Sequence, residues 1–172
     1  MACSNLTAGI ALDCNDSNGS VEKVFLANGP VEAITETAGV ITAITVGGAA
    51  LTPSDFFTFE VPRQTSSLVD TYTVSQENGT AVFDQQLTLY FNKMDADKRN
   101  QILLMAEATS MVIVAKDANG KYWSVGIEKG GYMISGSSLT GATYADRNGY
   151  ELVIGGMENK PCFEVTSTIV EA

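Results

Sequence analysis

Leu68-Val69-Asp70-Thr71-Tyr72-Thr73-Val74-Ser75, followed after a short break by Ala81-Val82-Phe83-Asp84-Gln85-Gln86-Leu87-Thr88-Leu89-Tyr90-Phe91, reads as two strands of one long hairpin. Successive side chains of a strand point to opposite faces, so Phe83, Gln85, Leu87, Leu89 and Phe91 fall on one side of the pleat. Val82, Asp84, Gln86, Thr88 and Tyr90 fall on the other. One face requires a core and the other suits water. Asn78-Gly79 between the strands is the dipeptide of a two-residue type I′ turn. That turn sets Val74 beside Phe83, Tyr72 beside Gln85 and Leu68 beside Leu89. The reverse face then pairs Thr73 with Asp84, Thr71 with Gln86 and Val69 with Thr88, a ribbon of hydroxyl, amide and carboxylate groups without Lys or Arg. Asp70 is the one conflict, a carboxylate on the apolar face. Exposure at a strand end or a partner from another subunit would resolve it.

Working outward, the hairpin runs into the one segment with helical spacing, Asp95 to Ala108. Asn92 or Asp95 caps it, Asp95 and Asp97 sit at the positive end of its dipole, and Ile102, Met105 and Ala106 form an apolar stripe widened by Leu103 and Leu104. Ile102, Leu103 and Ala106 are therefore expected to pack on the face carrying Phe83, Leu87 and Leu89. Everything else reads as strand: Val21 to Ala27, Val31 to Thr35, Val40 to Val46, Phe57 to Val61, Met111 to Lys116, Lys121 to Glu128, Tyr132 to Ser135, Tyr150 to Ile154 and Phe163 to Val170, the last three separated by a Gly-Ser-Thr loop from Gly136 to Gly149 and a turn from Gly155 to Pro161. The fold class is mainly β with one α-helix, an antiparallel β-sandwich or partial barrel. Residues 1–20, rich in Ser, Asn, Asp and Gly, form an arm ahead of a single domain over 21–172.

The 172 residues carry a formal charge of −10. Binding to nucleic acid phosphate or an anionic membrane is driven by Lys and Arg, so such a chain repels DNA. No window approaches the apolar length of a membrane span, and Met1-Ala2-Cys3-Ser4 lacks the basic start and apolar core of a secretion signal, which points to folding in a cytoplasm. Cys3, Cys14 and Cys162 are an odd, widely spaced set that fits reduced thiols, although a Cys3–Cys14 bridge is compatible with the spacing; Cys162 beside Phe163 reads as a small core residue.

There is no histidine. That removes the commonest general base and most transition-metal sites, and no phosphate-binding loop or nucleophile elbow occurs, so neither an enzyme nor a cofactor is expected. Cys14 to Gly19 resembles a calcium loop only superficially, with Cys14 at the first ligand position and Phe25 where a bidentate Glu is required. The Asn-x-Ser/Thr sequons carry weight only on a secreted eukaryotic chain, and Asn78 has its place in the turn. Asp70 and Asp84 lie on opposite faces and cannot work as a hydrolytic pair. Trp123 could serve as a sugar-stacking platform, but sharing a face with Val125 and Ile127 it reads as core.

The order of elements, with a two-faced hairpin, one helix and then antiparallel strands including Asp117-Ala118-Asn119-Gly120-Lys121-Tyr122-Trp123, resembles the tail tube proteins of bacteriophages and the related tubes of contractile injection systems. The likeness covers residues 21 to 170. The opening Met1-Ala2-Cys3-Ser4-Asn5-Leu6-Thr7 with its Cys14-centred turn is also similar to phage virion proteins. The resemblance implies six-subunit rings stacked into a hollow tube, whose inner barrel is completed by the hairpins. Thr71, Thr73, Asp84, Gln86 and Thr88 would then face the lumen, and DNA would pass in transit without being bound. It further implies a place in the virion tail, assembly in a bacterial cytoplasm, and sheath, tape-measure, baseplate or connector proteins as partners. Alternative functions are a head decoration, a ring or connector protein, or a carbohydrate-binding module.

Overall fold

The computed structural model describes residues 8–171. Half of the chain is strand, and the strands form two sheets. The larger sheet is built from β1 (Val21–Asn28), β2 (Val31–Thr37), β3 (Val40–Val46), β4 (Ala49–Ala50), β5 (Phe57–Glu60), β8 (Met111–Asp117), β9 (Tyr122–Val125) and β12 (Glu164–Val165), in the order β2-β3-β12-β9-β8-β1-β5 with β4 beside β3. The smaller has the order β10-β11-β7-β6, from β6 (Ser67–Ser75), β7 (Thr80–Asn92), β10 (Tyr132–Leu139) and β11 (Gly149–Glu158). Pairing is antiparallel except between β3 and β12. Two helices, α1 (Ala96–Glu107) and α2 (Ser167–Val170), complete the fold. No described helix is long and apolar enough to cross a membrane.

The larger sheet is apolar on both faces, which is why Met111 to Ala115 is buried without interruption. One face, through Val24, Leu26, Ile113, Ala115 and Val125, meets Leu87, Leu89, Leu152 and Ile154 of the smaller sheet. The alternate residues Phe25, Ala27, Val112 and Val114 pack with Ile41, Ile44, Phe163 and Val165, closed by Ile169 and Val170 of α2. Burying two layers of aliphatic side chains, at about 25 cal/mol per Å², is the main force holding the sheets together.

The hairpin forms, with a register two residues away from the expected one. Thr71 lies opposite Asp84, Val69 opposite Gln86, Ser67 opposite Thr88 and Leu68 opposite Leu87. The cause is the turn: Ser75 pairs with Thr80, leaving a four-residue loop in which Gly79 alone has positive φ (63°) and Ser75 Oγ accepts the Asn78 N–H. A shift of two preserves parity, so each side chain stays on its expected face.

The helix is capped by Asp95, which accepts the Lys98 N–H at 2.9 Å. Its inward residues differ from expectation. Met105 is buried and Ile102 packs beside it on the core, whereas Leu103 is 45% exposed, Leu104 59% exposed, and Ala106 is on the solvent side. Only a narrow line of the helix, at Ile102, Met105 and Ala108, reaches the core between the sheets. Phe83, expected in the core, is half-buried with its ring 5.0 Å from that of Tyr72.

Other boundaries move for local reasons. β9 stops at Val125 because Gly126 turns left-handed (φ 63°), which sends Ile127 to the opposite core from Val125. β11 continues through Gly155 and Gly156 where a turn was expected. A Cβ on Gly155 would sit 2.0 Å from the Gln85 carbonyl oxygen, so glycine there permits close strand approach. The expected terminal strand from Phe163 to Val170 is a two-residue strand followed by α2, and the segment expected as loop over 136–149 is strand as far as Leu139.

Candidate assembly surface

The smaller sheet turns one face to the core and presents the other to solvent. On the outward face β7 contributes Asp84, Gln86, Thr88 and Tyr90, and β6 contributes Thr71 and Thr73, so the five residues expected to face a lumen share one surface. β11 continues it with Glu151 opposite Tyr90, Val153 opposite Thr88 and Met157 opposite Asp84, and β10 adds Ser135 and Ser137. Ser135, Glu151 and Val153 lie in strands expected from the sequence but not assigned to this face, whereas Ser137 and Met157 lie beyond those strands, in Gly- and Ser-rich stretches without the apolar alternation that marks a strand.

The polar groups on this face are tied to one another. Gln86 Nε2 donates to Asp84 Oδ2 at 2.8 Å. Tyr90 donates its hydroxyl to Glu151 at 3.0 Å, an interaction that pushes the phenol pKa upward. The Arg147 guanidinium, from the loop after β10, lies 4.3 Å from the centre of the Tyr90 ring. The charged groups of the central ribbon are thus Asp84 and Glu151, with one cation stacked at its end.

Among the described residues both edges of this sheet are open, since β6 and β10 each pair on one side only. The distal hairpin is also uncovered on its apolar side, where Tyr72 is 61% and Val74 67% exposed. Unpaired edges and an unpartnered apolar tip are the features that proteins bury by pairing with another chain.

Asp70 is not an exposed strand end. Its Oδ2 accepts the Cys162 N–H at 2.9 Å, and its Oδ1 is buried with no partner among the described residues. Burial together with the adjacent Asp70 carboxylate pushes the Cys162 thiol pKa up, so this sulfur stays protonated. Cys14 is exposed, and the proposed Cys3 partner lies outside the described residues. Asp70, Tyr72, Asp117, Trp123 and Cys162 border a cleft of about 380 Å³. Trp123 is half-buried here instead of filling the core. Its Nε1 donates to Asp117 Oδ2 at 3.1 Å, while Asp117 Oδ1 accepts from Asn119 and Lys121. The Asp117 carboxylate beside the Trp123 ring is thus engaged within the chain.

No protein-family model matches this chain, and no curated protein matches it in sequence.

Proposed function

We propose that this protein is a structural subunit of a phage-type tail tube, self-assembling into stacked rings, with six copies per ring, around a channel for DNA. The carrying observation is the smaller sheet, four strands wide, apolar inside, mostly polar outside with Val69, Val153 and Met157 interspersed, and open at both edges among the described residues. Pairing β6 of one copy with β10 of the next is a head-to-tail contact of the kind that closes into a ring. Six four-stranded sheets supply about 24 strands; at roughly 4.8 Å spacing and about 40° tilt they close into a barrel about 48 Å across between backbones. Lined by Thr71, Thr73, Asp84, Gln86 and Thr88, such a barrel is wide enough for a DNA duplex.

The chemistry of that face suits transit. Phosphates pass hydroxyls, amides and carboxylates without forming the ion pairs that make binding tight, and the net charge of −10 adds repulsion. The protein acts by assembly and shape, with no catalytic step. Light scattering and negative-stain electron microscopy of the purified protein provide the test: rings or hollow tubes are expected, and a stable monomer at all concentrations and ionic strengths would overturn the proposal.

A further inference from the structure

Half of the asparagines in the chain are followed by glycine: Asn18-Gly19, Asn28-Gly29, Asn78-Gly79, Asn119-Gly120 and Asn148-Gly149. A glycine has no Cβ to hinder its backbone nitrogen from reaching the preceding side-chain amide, so each pair carries the chemistry of spontaneous deamidation. The reaction needs a glycine N–H without an acceptor and a main chain free to swing. The fold therefore decides which pair reacts.

Four of the pairs are tied down. The Asn18 N–H donates to Asn119 Oδ1 at 2.8 Å and the Asn18 carbonyl accepts from Asn119 Nδ2 at 2.9 Å. Those same bonds hold the Asn119 amide, and the Gly120 N–H donates to the Asp117 carbonyl at 3.1 Å. Asn28 closes the β1 ladder opposite Met111, and a Cβ on Gly29 would stand 2.8 Å from Val46, so that segment has no room to turn. Asn148 accepts the Met94 N–H on its side chain at 3.0 Å and the Lys93 N–H on its carbonyl at 2.6 Å, while Gly149 pairs with Asn92 in the β7–β11 ladder.

Asn78 differs from all of them. Residues 76–79 form the loop closed by the Ser75–Thr80 pair, and all four are exposed. The Asn78 N–H reaches Ser75 Oγ at 3.3 Å, but its side-chain amide and the Gly79 N–H have no hydrogen-bond partner among the described residues.

We infer that Asn78 is the deamidation site of the folded subunit. The Gly79 nitrogen loses its proton and attacks Asn78 Cγ; the new C–N bond closes a five-membered succinimide, and Nδ2 leaves as ammonia carrying a proton. Water then opens the ring at either carbonyl, giving aspartate or isoaspartate at position 78. Both products set a second carboxylate beside Glu77, and isoaspartate also adds one carbon to the main chain of the loop. No partner, enzyme or assembly is required.

The test incubates the full-length subunit at mildly alkaline pH, in native buffer and in urea, and digests timed samples with trypsin. Lys23, Arg63, Lys116 and Lys121 each separate one Asn-Gly pair from the next, so the five fall on five peptides. Mass spectrometry with electron-transfer fragmentation reads the conversion of each and tells aspartate from isoaspartate. In native buffer Asn78 should react about tenfold or more faster than each of the other four, and in urea the five rates should converge, because only folding protects them. Another pair matching Asn78 in the native sample, or an Asn78 that folding slows by about tenfold or more, would overturn the assignment. Asn78→Gln, whose longer side chain closes a ring far more slowly, should abolish the acidic species that ion-exchange chromatography resolves from aged native protein. Persistence of that species in the variant would overturn it as well.

Discussion

Gln85 on β7 accepts the backbone N–H of Gly126 at 2.8 Å through its side-chain carbonyl, joining the smaller sheet to the end of β9 in the larger one. Its amide nitrogen donates to the Lys160 carbonyl at 3.1 Å, and the side chain is 2% exposed. This polar residue on the apolar face of the hairpin is thus a buried strut between the sheets. Gln85→Leu keeps the size but orphans the Gly126 N–H, and should cost about 1–3 kcal/mol. Denaturant unfolding of the soluble subunit measures it, and an unchanged midpoint would contradict the role.

Glu158, 2% exposed, holds the following turn. Its Oε1 accepts the N–H groups of Glu128 and Lys129 at 3.1 and 2.9 Å, while Oε2 has no partner among the described residues. Burial raises its pKa, so the ionised form is disfavoured in the fold. Glu158→Gln retains an acceptor without the charge and should match or exceed the wild-type melting temperature near neutral pH. Glu158→Ala leaves two backbone donors unpaired and should cost about 1–3 kcal/mol. Equal stability of the two variants would refute this account.

The acid branch of the stability profile should depend on Glu171. It pairs with Lys116 at 2.8 Å and accepts the Tyr122 hydroxyl, and these hydrogen bonds, led by Lys116, lower its pKa from 4.5 to about 2. A depressed carboxyl pKa stabilises the fold fully above the unfolded value and loses that contribution as pH falls through the folded one. Glu171→Gln should therefore flatten stability between about pH 4.5 and 2 and leave the slope above pH 5 alone, as read by unfolding at a series of pH values.

How far the sequence carried the fold follows from parity and from helix geometry. The two-faced hairpin was legible because strand alternation survives a register error of two, and the four-residue turn that caused the error looks identical to a type I′ turn in the dipeptide Asn78-Gly79. The buried side of α1 was not legible. Leu103, Leu104, Met105 and Ala106 are all apolar, so periodicity does not select the one that faces inward. β11 extends through Gly155-Gly156 because its glycines serve close backbone packing, which composition alone reads as a turn. The role of Gln85 depends on a contact 41 residues away in sequence, beyond any local pattern.

The corrected helix orientation gives a sharp contrast. Ala106→Asp places a charge in water and should change stability by no more than about 0.5 kcal/mol. Met105→Ala opens a cavity in the core and should cost about 2–5 kcal/mol. Thermal unfolding of the two variants side by side decides between this orientation and one that buries Ala106.

The lining of the channel is tested most directly by a cryo-electron microscopy reconstruction of assembled wild-type protein beside a Thr71→Lys/Thr73→Lys/Gln86→Lys variant. The account predicts that both form tubes, that the outward face of the smaller sheet surrounds the lumen, and that the added cations hinder DNA passage in a manner relieved by salt. Tubes in which Thr71, Asp84 and Thr88 face the outer surface, or are buried between rings, would contradict it.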